Sequence, residues 1–214
     1  MPATLASLAL LLLLPASLLA QRIGTLSVVE GDLRIIRNTA VLRGAQGARV
    51  EWGDMLETGG HGMVQVECET GVIVALGSSS QLFFFSHSGS SGATGGELVL
   101  LSGWLKAETA SKVGPYLYDT PLLGGKTKDG TLVLHAGAES SEIFVESGTA
   151  GVAELTASGN GGEFRAAKGG QFFSRSRGKS VVVSPRPAAA FVDAMPMPFR
   201  DTLPSGLSLS LIHI

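Results

Sequence analysis

The chain has 214 residues, 44% of them hydrophobic and 16% charged, with 29 glycines and a net charge of -2. That length holds one sizeable core or two small ones, and a glycine share well above the usual ~7% argues against a mostly helical protein. A slightly acidic balance excludes electrostatic capture of nucleic acid or of anionic lipid surfaces.

Leu5 to Leu14 form an apolar run broken by Pro15 and followed by small residues at Ala16, Ser17 and Ala20, the pattern of a secretory leader over 1–20. The run is shorter than the ~20 residues a membrane span needs. A periplasmic or secreted location is therefore expected, with no stable span after cleavage. Next come SVVEGDLRII (27–36) and RVEWGDMLETG (49–59), which are echoed by IFVESGTAGVAEL (143–155) and FRAAKGGQFFSR (164–175). In each copy about 22 positions separate Gly31 or Gly148 from Gly53 or Gly170, so one β unit reads as used twice.

GMVQVECETGVIVAL (62–76) alternates as a hairpin turning across Glu69 to Gly71, with the single cysteine, Cys68, on its apolar face. Leu82 to Phe85 form a continuous apolar run, the pattern of a strand buried on both faces or of a sheet edge covered by a loop. SHSGSSGATGGE (86–97) has loop composition. Strand character resumes over 97–109, with Gly103 as a turn or bulge, and further strands are expected at 115–119, 130–135, 142–146, 149–155, 171–174 and 179–183. Short strands so evenly spaced predict an all-β sandwich, jelly roll or β-roll-like module of two related halves. The stretch 184–208 is proline-rich and reads as a tail or linker with one helical turn at 188–195. The last six residues, LSLIHI, read back as a transposon end used to fragment DNA for sequencing. They are set aside as an in-frame scar, His213 included, and the natural chain is expected to continue.

IGTLSVVEGDLRIIR (23–37), WGDMLETG (52–59), GVIVALGSSSQL (71–82) and LVLLSGWLKAE (98–108) resemble, in order and spacing, the periplasmic FecR domain. DTPLLGGKTKDGTLVLH (119–135) and KGGQFF (168–173) extend the likeness across 21–183. The resemblance implies a β-rich extracytoplasmic module without enzymatic activity, whose best-known relatives relay an outer-membrane receptor's state to a sigma factor. The cleavable leader here resembles the exported, free-standing form more than a membrane-anchored sensor arm.

Little in the chain supports chemistry. His61, His87 and His135 occupy no metal-ligand spacing, so no metal or cofactor is expected, and a cupin-like or hydrolytic enzyme is the weakest reading. GGKT (124–127) lacks the first glycine of a phosphate loop and reads as a turn beside solvated lysines. Asp32 and Asp54, each after a glycine, read as turn residues whose carboxylates bond backbone amides. Trp52, Trp104, Tyr116 and Tyr118 are the aromatics able to anchor a partner, either an envelope protein or a cell-wall polymer.

Overall fold

The computed structural model describes residues 22–85, 95–112, 114–156 and 162–204. The leader, the Ser/Gly loop at 86–94 and the scar-like end lie outside the described residues. In chain order the strands are β1 (Arg22–Val29), β2 (Leu33–Arg37), β3 (Ala40–Arg43), β4 (Arg49–Glu51), β5 (Met55–Thr58), β6 (Val64–Cys68), β7 (Val72–Leu76) and β8 (Gln81–Phe85). They continue as β9 (Gly96–Ala110), β10 (Tyr116–Asp119), β11 (Leu123–Ala136), β12 (Ser140–Glu154), β13 (Arg165–Lys168), β14 (Phe172–Ser176) and β15 (Val182–Ser184). A short helix, α1 (Ala189–Ala194), and a 3-10 turn over Met197–Arg200 follow.

The pairings form two layers that share three long strands. The first sheet runs β4-β1-β6-β7-β9-β11-β12-β14-β15 and the second β3-β2-β5-β8-β9-β10-β11-β12-β13. Among the described residues only β9 and β10 pair in parallel. In β9, residues up to Ser102 pair with β8 and those from Gly103 onward with β11, so the strand changes layer at Gly103. Strands β11 and β12 change layer together where Gly130 faces Gly148. Gly148 has φ +74°, and a Cβ there would stand 2.5 Å from the Asp129 carbonyl oxygen, so no other residue fits this crossing. The same device joins β1–β2 to β5–β6: Val29 faces Val64, Leu33 faces Thr58, and Gly31 and Gly62 meet at the bend.

The sequence repeat is real at one place and absent at another. Glu51 to Asp54 and Lys168 to Gln171 form the same turn, in which the first residue's amide donates to the fourth residue's side-chain oxygen at 2.8 Å. In both, the glycine N–H and the fourth carbonyl bond one residue of a neighbouring strand, Phe84 or Val145. Around the first glycines the copies differ. Gly31 separates two strands, whereas Gly148 lies inside β12.

One core fills the space between the layers. Leu26, Val66, Val74, Leu105, Leu134 and Val145 of the first sheet meet Leu33, Leu56, Leu82, Phe84, Leu98 and Leu100 of the second. A smaller core lies on the outer face of the first sheet, where Phe191, Met195, Phe199 and Leu203 cover Met63, Trp104, Val133 and Phe172. Residues 185–204, expected as a tail or linker, therefore form a strap over that sheet, and the expected helical turn is α1.

Two expectations are corrected. Gly124 and Gly125 lie inside β11 rather than in a turn, because Gly124 makes room for Asp119 and Gly125 packs toward Leu132 and Ile143. Strand β8 is neither an edge nor buried on both faces. It lies between β5 and β9 with Leu82 and Phe84 in the core, and Phe85 is 42% exposed on the other side.

Candidate functional site

With the first sheet strapped, the outer face of the second sheet is the distinctive surface. Directly paired residues of neighbouring strands point the same way, so the register Val41–Ile36–Met55–Phe83–Val99 draws one apolar row across β3, β2, β5, β8 and β9. Val41 (64%), Phe85 (42%) and Leu101 (44%) are exposed, and Ile36, Met55, Phe83 and Val99 are half-buried. A shallow cavity of about 330 Å³ lies among Ile36, Asn38, Gly53, Met55, Phe83 and Leu101. An apolar row this continuous is unusual on a surface that faces water alone.

Charges stand at the two ends of the row. Beside the β3 end, two residues along the strands from Val41 and Ile36, lie Arg43, which is exposed, and Arg34, which pairs with Glu57 at 2.6 Å. At the other end Asp119 faces Val99 on one side and Gly124 on the other, with Glu97 close by. Burial first, and then Glu97, pushes the Asp119 carboxyl up to about 7. Its folded value lies above the ~3.9 of an unfolded aspartate. Its favourable contribution is therefore present below about pH 4 and is lost as pH rises through 7. Asp119→Asn should remove that slope, making the protein about 1–2 kcal/mol more stable than the parent at pH 8 and no different at pH 4. Urea denaturation at the two pH values checks this, and equal stability at pH 8 would mean that the carboxylate is well solvated.

The four aromatics singled out in the sequence do not form a site. Tyr116 and Tyr118 are 1% and 0% exposed, and their hydroxyls share 2.6 Å hydrogen bonds with Thr70 and Thr109 of the opposite layer. They tie the two sheets together and present no ring to a partner. Burial pushes the Tyr116 hydroxyl up to about 12 and Tyr118 well above the usual phenol range, so both stay protonated. Trp104 stacks on His135 at 4.4 Å and meets Phe191 at 5.0 Å beneath the strap. Trp52 is half-buried against the core and close over Gly96. What sequence reasoning missed is the row through Ile36, Met55 and Phe83, whose only sequence signal is the FFF run.

Other polar groups are structural. Asp54 is fully buried and takes two 2.7 Å hydrogen bonds from Arg37, besides the Glu51 amide. That hydrogen bonding holds the Arg37 guanidinium above its usual value. Asp32 is exposed and enters its turn through its backbone carbonyl, which accepts from Gly59 N, rather than through its carboxylate. Burial pushes the Cys68 thiol up to about 12, which keeps it from acting as a thiolate. His61 is exposed in the β5–β6 connection, His135 bonds Glu142 at 2.9 Å, and His87 lies outside the described residues. Among the described residues no group of three or more His, Cys, Asp or Glu could hold a metal ion, and no helix is long and apolar enough to cross a membrane. An open cleft of about 750 Å³ collects Lys126, Lys128 and Lys168 beside Thr127, Thr149 and Gln171.

No family model matches the chain, and no curated protein matches it. The fold is similar to two crystal structures, each titled a putative anti-sigma factor from Parabacteroides distasonis ATCC 8503. One matches at TM-score 0.51 and 10% identity over 62% of this chain, the other at 0.52 and 12% over 65%. The chain spans 59% and 64% of those two proteins.

Proposed function

We propose that this chain is a non-enzymatic, extracytoplasmic β module of FecR-like type that works in envelope signalling by binding a protein partner. The observation that carries the reading is the apolar row on the outer face of the second sheet, which has the exposed aromatic and aliphatic anchors of a docking surface. The leader-like N-terminus and the likeness in fold to the two Parabacteroides distasonis structures support the setting. In this reading the recognition element is a sheet face built on paired strands, with the Tyr116 and Tyr118 hydroxyls tying it to the layer beneath.

A second reading, an anionic cell-wall polymer as partner, is favoured by the lysine cleft, whose lining includes three lysines and no carboxylate. One experiment separates the two. The purified chain is offered to a detergent extract of envelope protein and, in parallel, to isolated peptidoglycan. Leu101→Asp should abolish specific protein capture, and Lys126→Ala/Lys128→Ala/Lys168→Ala should leave it intact. Co-pelleting with peptidoglycan that only the triple variant loses would replace the first reading with the second.

A further inference from the structure

The apolar row carries an arrangement of charge that points to a particular occupant. Arginine stands beside its β3 end, and an acidic residue stands at its β10 end. The side chain of Arg43, beside the β3 end, makes no hydrogen bond or ion pair among the described residues, and neighbouring Arg34 is 67% exposed at its side chain. Asp119, at the β10 end, forms no ion pair among the described residues and stands beside the like charge of Glu97. From β3 to β10 the row crosses β2, β5, β8 and β9, so its midpoint falls between Met55 and Phe83. A rotation by half a turn about an axis along the strands, through that midpoint, exchanges the two ends. It brings Val41 over Asp119 and Met55 over Phe83, each twice, and sets Arg43 two residues, about 7 Å, farther along the strand from Asp119, a gap its long side chain can span.

We propose that this face pairs with the same face of a second copy of the chain, forming a two-fold dimer in which Arg43 of each copy meets Asp119 of the other. The proposal rests on the reading of this face as a docking surface and names its occupant. Self-complementarity is what an isologous interface requires, and the face has it in both its apolar middle and its charged ends. Six strands at ~4.8 Å spacing span about 24 Å, and strands of four to six residues add about 17 Å in the other direction, roughly 400 Å² in projection. Side-chain relief raises the accessible area toward the ~800 Å² per partner of a standard interface without exceeding it. A dimer in the micromolar range follows, in place of an obligate one.

Sedimentation equilibrium of the purified chain tests this. The parent should show a reversible monomer–dimer equilibrium with a Kd on the order of 10 μM. Leu101→Glu, on an exposed position of the face, should weaken it at least ~10-fold. Arg43→Glu and Asp119→Arg should each weaken it ~10-fold, and the double reversal should return to within about threefold of the parent. Circular dichroism shows that each variant is folded; where Asp119→Arg is not, Asp119→Asn takes its place as a weakening variant. A folded parent that stays monomeric to about 0.5 mM overturns the dimer, as does a dimer that Leu101→Glu or Arg43→Glu leaves unchanged. A monomeric parent that still captures an envelope protein through Leu101 overturns only the second copy as occupant. Loss of that capture bears on the function itself.

Discussion

Replacing Arg37 by alanine is expected to cost about 3 kcal/mol or more of stability, because it leaves a buried carboxylate without its counter-charge. Asp54 is fully buried, and the Arg37 guanidinium grips both its oxygens at 2.7 Å while also reaching Glu51 at 2.8 Å and the Arg49 carbonyl at 3.1 Å. Removing the arginine orphans one charge and two turn contacts together. Arg37→Lys should recover only part of the loss, since an ammonium cannot reproduce the two-pronged contact. The matched turn at Lys168 to Gln171 supplies a sharper expectation. There a neutral Gln171 oxygen accepts from the Lys168 amide at 2.8 Å. The turn itself therefore needs an acceptor at its fourth position, and the charge at Asp54 is what makes the arginine indispensable. Asp54→Asn in the Arg37→Ala background should accordingly restore most of the stability, measured as the urea midpoint. A double variant no better than Arg37→Ala alone would show that the ion pair, rather than the orphaned charge, sets the energy.

The second large effect is expected at Lys106. Its side chain is 1% exposed, and its ammonium donates to the carbonyls of Phe199 at 2.9 Å and Asp201 at 2.8 Å while pairing with Glu146 at 2.8 Å. Two further bonds hold the same end of the strap, from the Leu203 amide to Glu108 at 2.7 Å and from Gln65 to the Pro204 carbonyl at 2.6 Å. Lys106→Ala removes the charge that satisfies the buried Phe199 carbonyl and the part-buried Asp201 carbonyl and should cost about 3 kcal/mol. The loss should be local before it is global, with amide exchange rising first over 189–204 and the core strands keeping their protection. Phe191→Ala, which empties the ring seated between Trp104 and Phe172, should show the same order of events. Uniform loss of protection across the chain would mean that the strap and the sandwich unfold as one unit.

The sequence announces an all-β fold because alternation and glycine placement act locally, through the pleat and through φ. It leaves the layering obscure. Three strands belong to both sheets, and nothing in 97–109 says that its first half pairs with β8 and its second with β11. Alternation also says which residues share a face and not what covers that face. Trp104 and Lys106 alternate outward in WLKA and are nevertheless buried, because the strap lies over them. Phe83 and Phe85 sit in an unbroken apolar run and yet lie on the outer side of β8, because alternation puts Leu82 and Phe84 in the core. The tyrosines at 116 and 118 failed as surface anchors for a related reason: period-two spacing puts both on one face, and only the partner hydroxyls of Thr70 and Thr109 make that face tolerable in the core.

The three strands common to both sheets also govern how the module would respond to load. In a sandwich of separate sheets, layers can slide or peel with only side-chain contacts resisting. Here any relative displacement of the layers must stretch or bend β9, β11 and β12 along their own backbones, at Gly103, Gly130 and Gly148. The glycines act as fixed creases, and the covalent chain carries tension across them. A tug on the strap over one sheet is thereby delivered through continuous polypeptide to the open apolar face of the other, giving the molecule the mechanics of a folded plate.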